Sequence, residues 1–115
     1  MVVVSEEPEV RDNLAGHRFE IWSGGELAGF SLYEQIGDVR AFVHTEIDER
    51  FDGRGFGSIL VRAALTAMRA AGTPVLPFCP FVRRFIQRHQ EFLALVPAEE
   101  RERFGLPADH GAASS

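Results

Sequence analysis

The chain has 115 residues, 45% of them hydrophobic and 25% charged, which suits one packed core and excludes a disordered polymer. Seventeen acidic against twelve basic residues give a net charge of −5, which argues against a nucleic-acid partner. No apolar run approaches the roughly 18 residues of a membrane span, the start Met1–Glu7 lacks the basic and apolar regions of a signal peptide, and the single cysteine, Cys79, has no partner for an internal disulfide. The expectation is one cytoplasmic domain over 10–104, with an N-terminal extension 1–9, a flexible C-terminal tail 105–115, and neither a nucleic-acid nor a membrane partner.

Residues 17–22 alternate polar and apolar as a half-buried strand does, and Ser23-Gly24-Gly25-Glu26 turns the chain. Leu27 to Gln35 reads as the next strand, and Gly37-Asp38 turns it into a third, Val39 to Ile47. Three strands in series imply an antiparallel meander. From Ser58 to Ala71 the period becomes helical, with Ile59, Ala63 and Ala67 on one line, Leu60 and Ala64 beside it, and Gly72 as the stop. Val75-Leu76 forms a short strand, and Pro80 suits the first turn of a helix through Arg88. A strand-helix-strand crossover is normally right-handed and makes its strands parallel neighbours. The fold class is therefore α/β with a mixed (α+β) sheet, an antiparallel meander leading into a parallel pair. Residues 91–96 and 97–104 read as terminal helical turns, and Pro107–Ser115 as a frayed end.

The most informative segment is Asp48-Glu49-Arg50-Phe51-Asp52-Gly53-Arg54-Gly55-Phe56-Gly57-Ser58, a glycine-punctuated loop that leaves a strand and opens a helix. Alternate glycines let backbone N–H groups approach a ligand, and the helix start adds unpaired donors and a favourable dipole, so the segment suits an anion such as pyrophosphate. A Walker A loop would need a lysine where Ser58 follows Gly57, and a dinucleotide fingerprint would need an acidic residue where the next strand ends Leu76-Pro77-Phe78. A tight structural turn is the plain alternative.

Phe51-Asp52-Gly53-Arg54-Gly55-Phe56-Gly57-Ser58-Ile59-Leu60 resembles the pyrophosphate loop of the GNAT acetyltransferases, Gln/Arg-x-x-Gly-x-Gly/Ala followed by a helix. Two registers match, Arg50-x-x-Gly53-x-Gly55 and Asp52-x-x-Gly55-x-Gly57. The distance to Leu60 favours the second, which puts Asp52 where the superfamily has Gln or Arg. His44-Thr45-Glu46-Ile47, Val75 to Val82 and Phe85 to Phe92 also resemble the recurring blocks of a small YjdJ-type subgroup, so the resemblance covers roughly residues 10 to 97. It implies a GNAT-like fold and an acetyl-CoA-dependent N-acetyltransferase, with acetyl-CoA as cosubstrate and a primary amine as acceptor; the short chain suits an open site for an exposed amine such as a protein lysine or N-terminus, with small amines as the other acceptors. A CoA-binding module without efficient catalysis is the alternative, because the domain is short.

By the same resemblance, Gly53, Arg54, Gly55, Phe56, Gly57 and Ser58 hold the pyrophosphate. The edge backbone of Thr45, Glu46 and Ile47 pairs with the pantetheine arm, where side-chain identity matters little. Cys79 stands between a strand end and a helix start, a position from which a thiol can hand over a proton or accept the acetyl group; the bland reading is a small buried hydrophobe. His44 and Glu46 share a strand face, and either can take a proton from an ammonium substrate. Many relatives carry a tyrosine acid where this chain has Phe85, and the only tyrosine, Tyr33, sits in the meander. Arg83 and Arg84 are secondary candidates for contact with the cofactor phosphate or an acidic substrate, the bland reading being a solvated helix face. A thiol redox role lacks a resolving cysteine. The four histidines lack metal-site spacing, so no metal is expected.

Overall fold

The computed structural model describes residues 7–108. Five strands form one sheet in chain order: β1 (Glu9–Asn13), β2 (Arg18–Ser23), β3 (Glu26–Ile36), β4 (Val39–Ile47) and β5 (Val75–Pro77). The first four pair antiparallel and β4 pairs parallel with β5. Helix α1 (Phe56–Ala71) makes the crossover, and α2 (Pro80–Arg88) follows β5. Short 3-10 turns at Gln90–Leu95, Ala98–Glu100 and Glu102–Phe104 complete the chain.

The meander and the crossover expected from the sequence are both present, but the meander has a fourth strand. β1, Glu-Val-Arg-Asp-Asn, is an edge strand with one partly buried apolar side chain, Val10, so it carries almost no periodic signal. Long-range polar contacts tie it down. Tyr33 Oη donates to Asp12 Oδ1, and the Arg40 guanidinium reaches Asp12 Oδ2 at 3.0 Å, so β3 and β4 both grip β1 across β2. Burial, reinforced by that bond to Asp12, raises the Tyr33 phenol from 10.0 to about 12, against the opposing pull of the Arg40 charge.

The helix begins at Phe56, two residues before Ser58. Its core face is Phe56, Leu60, Val61, Ala64, Leu65 and Met68, packed against Phe19, Ile21, Tyr33 and Phe42 of the sheet. The line Ile59, Ala63, Ala67 faces outward instead. Both stripes of this helix are apolar, and the one with the larger side chains takes the core. Gly72, in the left-handed conformation at φ 69°, closes the helix through its N–H to Arg69 and Met68 carbonyls. Of the segment 105–115, Leu106 packs in the core and residues 109–115 lie outside the described residues, as do residues 1–6 of the segment 1–9.

The feature that positions the site is a bulge in β4. Tyr33 pairs with Phe42, but Leu32 pairs with His44, which leaves Val43 as an extra residue. Side chains alternate along a strand, so without the extra residue Phe42 and Thr45, three apart, would point to opposite faces. With it, Thr45 and Ile47 join Phe42 on the helix-covered face, and His44 and Glu46 turn to the other.

Candidate functional site

Pairing between β4 and β5 is confined to Arg40–Val75, Ala41–Leu76 and Phe42–Pro77. Cys79 N–H adds a bond to Phe42 C=O at 2.8 Å, after which the chain enters α2. Among the described residues no strand pairs with 43–47 on that side. The strands part there because Pro77 and Pro80 provide no N–H to continue a ladder. An open backbone edge results.

The glycine loop lies beside this edge. Asp48 accepts from Arg50 N–H and opens a 3-10 turn, Glu49–Phe51, and the buried Phe51 ring stacks on Phe56 with centroids 5.6 Å apart. That stack fixes both ends of the loop. Gly53 and Gly55 have φ 81° and 73°, conformations disfavoured for residues with a Cβ, and the space where a Cβ would stand is open at both. Gly55 is the N-cap of α1 and has no side chain to cap it, so the N–H groups of Phe56, Gly57 and Ser58 have no intrahelical acceptor. The first turn also lacks the acidic residue that its dipole would favour. Gly57 serves packing: a Cβ there would come within 2.7 Å of the Phe81 ring.

Edge and loop meet in a cavity of about 430 Å³ lined by Thr45, Ile47, Phe51, Asp52, Gly53, Gly55, Phe56, Gly57, Ser58 and Phe81. The structure thus brings together Thr45, Ile47 and every expected loop residue except Arg54. Arg54 leaves the cavity wall and lies over the Phe51 ring, 5.3 Å from its centroid. Asp52 stands on the wall in the register that the spacing to Leu60 favours. Phe51 and Phe81 were not singled out from the sequence; an aromatic pair flanking the glycines at 51 and 56 was the available signal for the first, whereas Phe81 is recruited by a long-range contact.

Two further hollows meet this cavity at Ser58. One, of about 790 Å³, runs along the outward line of α1 past Ile59, Arg62 and Ala63 to Phe85 and His89. The other, about 60 Å³, is bordered by Arg84, Arg88 and His89. Arg84 therefore opens toward the loop. Arg83 does not: its Nη2 donates to Phe78 C=O, and its buried Nε has no partner.

The other candidates fall on two faces. Cys79 is 2% exposed and off the cavity wall; its thiol donates to Thr45 Oγ1 at 3.3 Å. Thr45 Oγ1 also lies 2.8 Å from Ser31 Oγ. His44 Nε2 and Glu46 Oε1 are 3.2 Å apart on the opposite face, with side chains 55% and 61% exposed. Phe30 lies beside His44 on that face, and Arg18 sits over Phe30. Arg18 also pairs with Glu20, a buried carboxylate that accepts from Asn13 and Trp22 as well. Burial alone would raise the Glu20 pKa, but these three donors and the Arg18 charge outweigh it and hold the carboxyl below its usual value. Phe85 is buried in the core, and Tyr33 lies with Asp12 and Arg40. Among the described residues no group of three or more His, Cys, Asp or Glu could hold a metal ion, and no helix is long and apolar enough to cross a membrane.

An uncapped helix start behind a glycine loop, beside an opened strand edge in a mixed sheet, offers hydrogen-bond donors and space that suit an elongated ligand with an anionic group. The profile of a family described as GCN5-related N-acetyl-transferase matches residues 18–96, and the chain belongs to that family. Its chemistry is acyl transfer, the movement of an acetyl group to nitrogen. Among curated proteins none matches the sequence.

Proposed function

We propose that the chain is an acetyl-CoA-dependent N-acetyltransferase of the small YjdJ-type subgroup, acting on a primary amine of a protein, a lysine or an N-terminus. The observation that carries this reading is the single cavity shared by the uncapped start of α1 and the open edge of β4. The site fits the cofactor on its own chemistry. Free amides of Phe56, Gly57 and Ser58 would hold the pyrophosphate, with space above Gly53 and Gly55 for its oxygens. The open edge of β4 over Thr45, Glu46 and Ile47, through those backbone groups that do not bond to β3, would accept the amide-bearing pantetheine arm as an added strand. Arg84 and Arg88 border the hollow that meets the cavity at Ser58 and would be placed to contact the remaining phosphate.

Bound acetyl-CoA supplies the activated acyl group. The chain's own residues would orient it and handle protons. His44 and Glu46 stand across the same open edge, on the face away from the loop, and take the proton of an amine that approaches there. Cys79 would be the proton source for the departing CoA thiolate, with Thr45 on the cavity wall handing over its hydroxyl proton and taking that of the Cys79 thiol. The face bearing His44 and Glu46 is open, which suits an amine presented on a protein surface.

One observation favours a second reading. Cys79 is buried beneath the wall, as it would be in a module that binds CoA without efficient transfer. Incubation with acetyl-CoA and a panel of proteins, peptides and polyamines, read by mass spectrometry and CoA release, separates the two. All twelve basic residues are arginine, so any acetyl-lysine detected belongs to the acceptor. Acetylated amine with matching CoA supports the enzyme; cofactor binding without transfer to any amine supports the module; labelling of small amines alone refutes the protein-acceptor part.

A further inference from the structure

Ser31 is the anomaly of the core. It is 0% exposed on the central strand, on the face where neighbouring positions carry Phe19, Ile21, Tyr33 and Phe42. A buried hydroxyl must donate, and among the described residues its one partner is Thr45 Oγ1 at 2.8 Å. The buried thiol of Cys79 ends on the same atom, at 3.3 Å. A threonine hydroxyl has two lone pairs and one proton. With Ser31 O–H on one lone pair and Cys79 S–H on the other, Thr45 accepts nothing further, and its own proton is left to donate. Thr45 is also the one member of this trio that lines the 430 Å³ cavity. The bulge at Val43 brings it there, because without the extra residue Thr45 would face away from both partners.

We infer that the Thr45 hydroxyl is a fixed hydrogen-bond donor to a carbonyl oxygen of the cofactor's pantetheine-thioester arm, with Ser31 as the positioning residue that sets its direction. The inference rests on the acetyl-CoA reading above and goes beyond it, since backbone pairing along β4 makes no demand on the side chain at position 45. A donor whose direction is set before the ligand arrives costs no reorganisation when it binds.

The test is titration calorimetry of the full chain with acetyl-CoA and with CoA, alongside thermal melts. Thr45→Val keeps the shape and removes the donor. It should weaken acetyl-CoA binding about three- to tenfold, the effect of one neutral hydrogen bond, and Thr45→Ser should recover most of that loss. Ser31→Ala should weaken binding about two- to threefold in the parent chain and have no further effect in the Thr45→Val background, a coupling that general loosening of the core would not produce. Where Thr45→Val compromises folding, Thr45→Ser and Ser31→Ala carry the test. A loss shared by acetyl-CoA and CoA puts the donor on a pantetheine amide, and a loss confined to acetyl-CoA puts it on the thioester; both support the inference. Unchanged affinity in Thr45→Val, or equal effects of Ser31→Ala in both backgrounds, overturns it and leaves the cofactor reading intact. Absence of binding by the unaltered chain overturns both.

Discussion

A glutamate at position 58 should push binding and stability in opposite directions. Ser58 is the third residue of α1, exposed, and at the meeting point of all three hollows around the loop. That turn has no acidic residue and an uncapped N-terminus. Ser58→Glu therefore complements the dipole and should add about 0.3–1 kcal/mol, a Tm increase of a few degrees. The same carboxylate would face a pyrophosphate in the cradle, and its repulsion can be gauged at a separation of roughly 5 Å. Coulomb repulsion at that separation is about 0.8 kcal/mol per charge pair at the dielectric of water and about 3 kcal/mol at the lower effective value near a protein surface. Loss of acetyl-CoA affinity should be at least about tenfold, and larger at low salt, where screening is weaker. Calorimetry at two ionic strengths with a thermal melt of each protein reads both effects. A folded Ser58→Glu chain that binds acetyl-CoA within about twofold of the parent would refute the assignment of the loop as a phosphate cradle.

Three other expectations follow from named contacts. Cys79→Ala should lower turnover at least about tenfold while acetyl-CoA affinity changes less than about threefold; unchanged kcat removes the thiol from the proton path. Tyr33 is the only tyrosine, so absorbance near 295 nm reports it alone. Its folded pKa is raised to about 12 from 10.0, so its contribution to stability is complete below 10 and is lost as pH rises toward 12. A native midpoint at 10 would show that the phenol is not held in the Asp12 contact. Glu20 has the opposite sign: its folded pKa lies below 4.5, so the stabilisation is present above that pH and lost as pH falls through the folded value. Urea unfolding should find Glu20→Gln less stable at pH 7 by about 1–3 kcal/mol and the gap narrowed in acid; an equal gap at both pH values contradicts this account of the network.

Much of the fold was legible because its signals are local. The strand Val39–Ile47 and the helix Pro80–Arg88 follow from period, turn glycines and an N-terminal proline, and the loop follows from glycines at 53, 55 and 57. Long-range features were not. β1 is held by Asp12, whose partners lie 21 and 28 residues away, and nothing in Glu-Val-Arg-Asp-Asn announces them. The outward turn of Ile59, Ala63 and Ala67 depends on which of two apolar stripes finds larger partners in the sheet. At the site, the cradle could be read from the glycines and the shared face of His44 and Glu46 from alternation, whereas the placing of the β4 faces relative to Phe42 could not. It depends on the Val43 bulge, which period-2 reasoning has no means of placing, and the sharing of one Thr45 oxygen by Ser31 and Cys79 follows from that bulge. Ser31 left one trace: a serine where alternation calls for an apolar core residue.

The most direct test of the central claim is isothermal titration of the purified chain with acetyl-CoA, CoA and NAD. Binding of both CoA species at micromolar Kd, with no heat from NAD, is the predicted result. Absence of binding to either CoA species would contradict it and leave the loop as a structural turn.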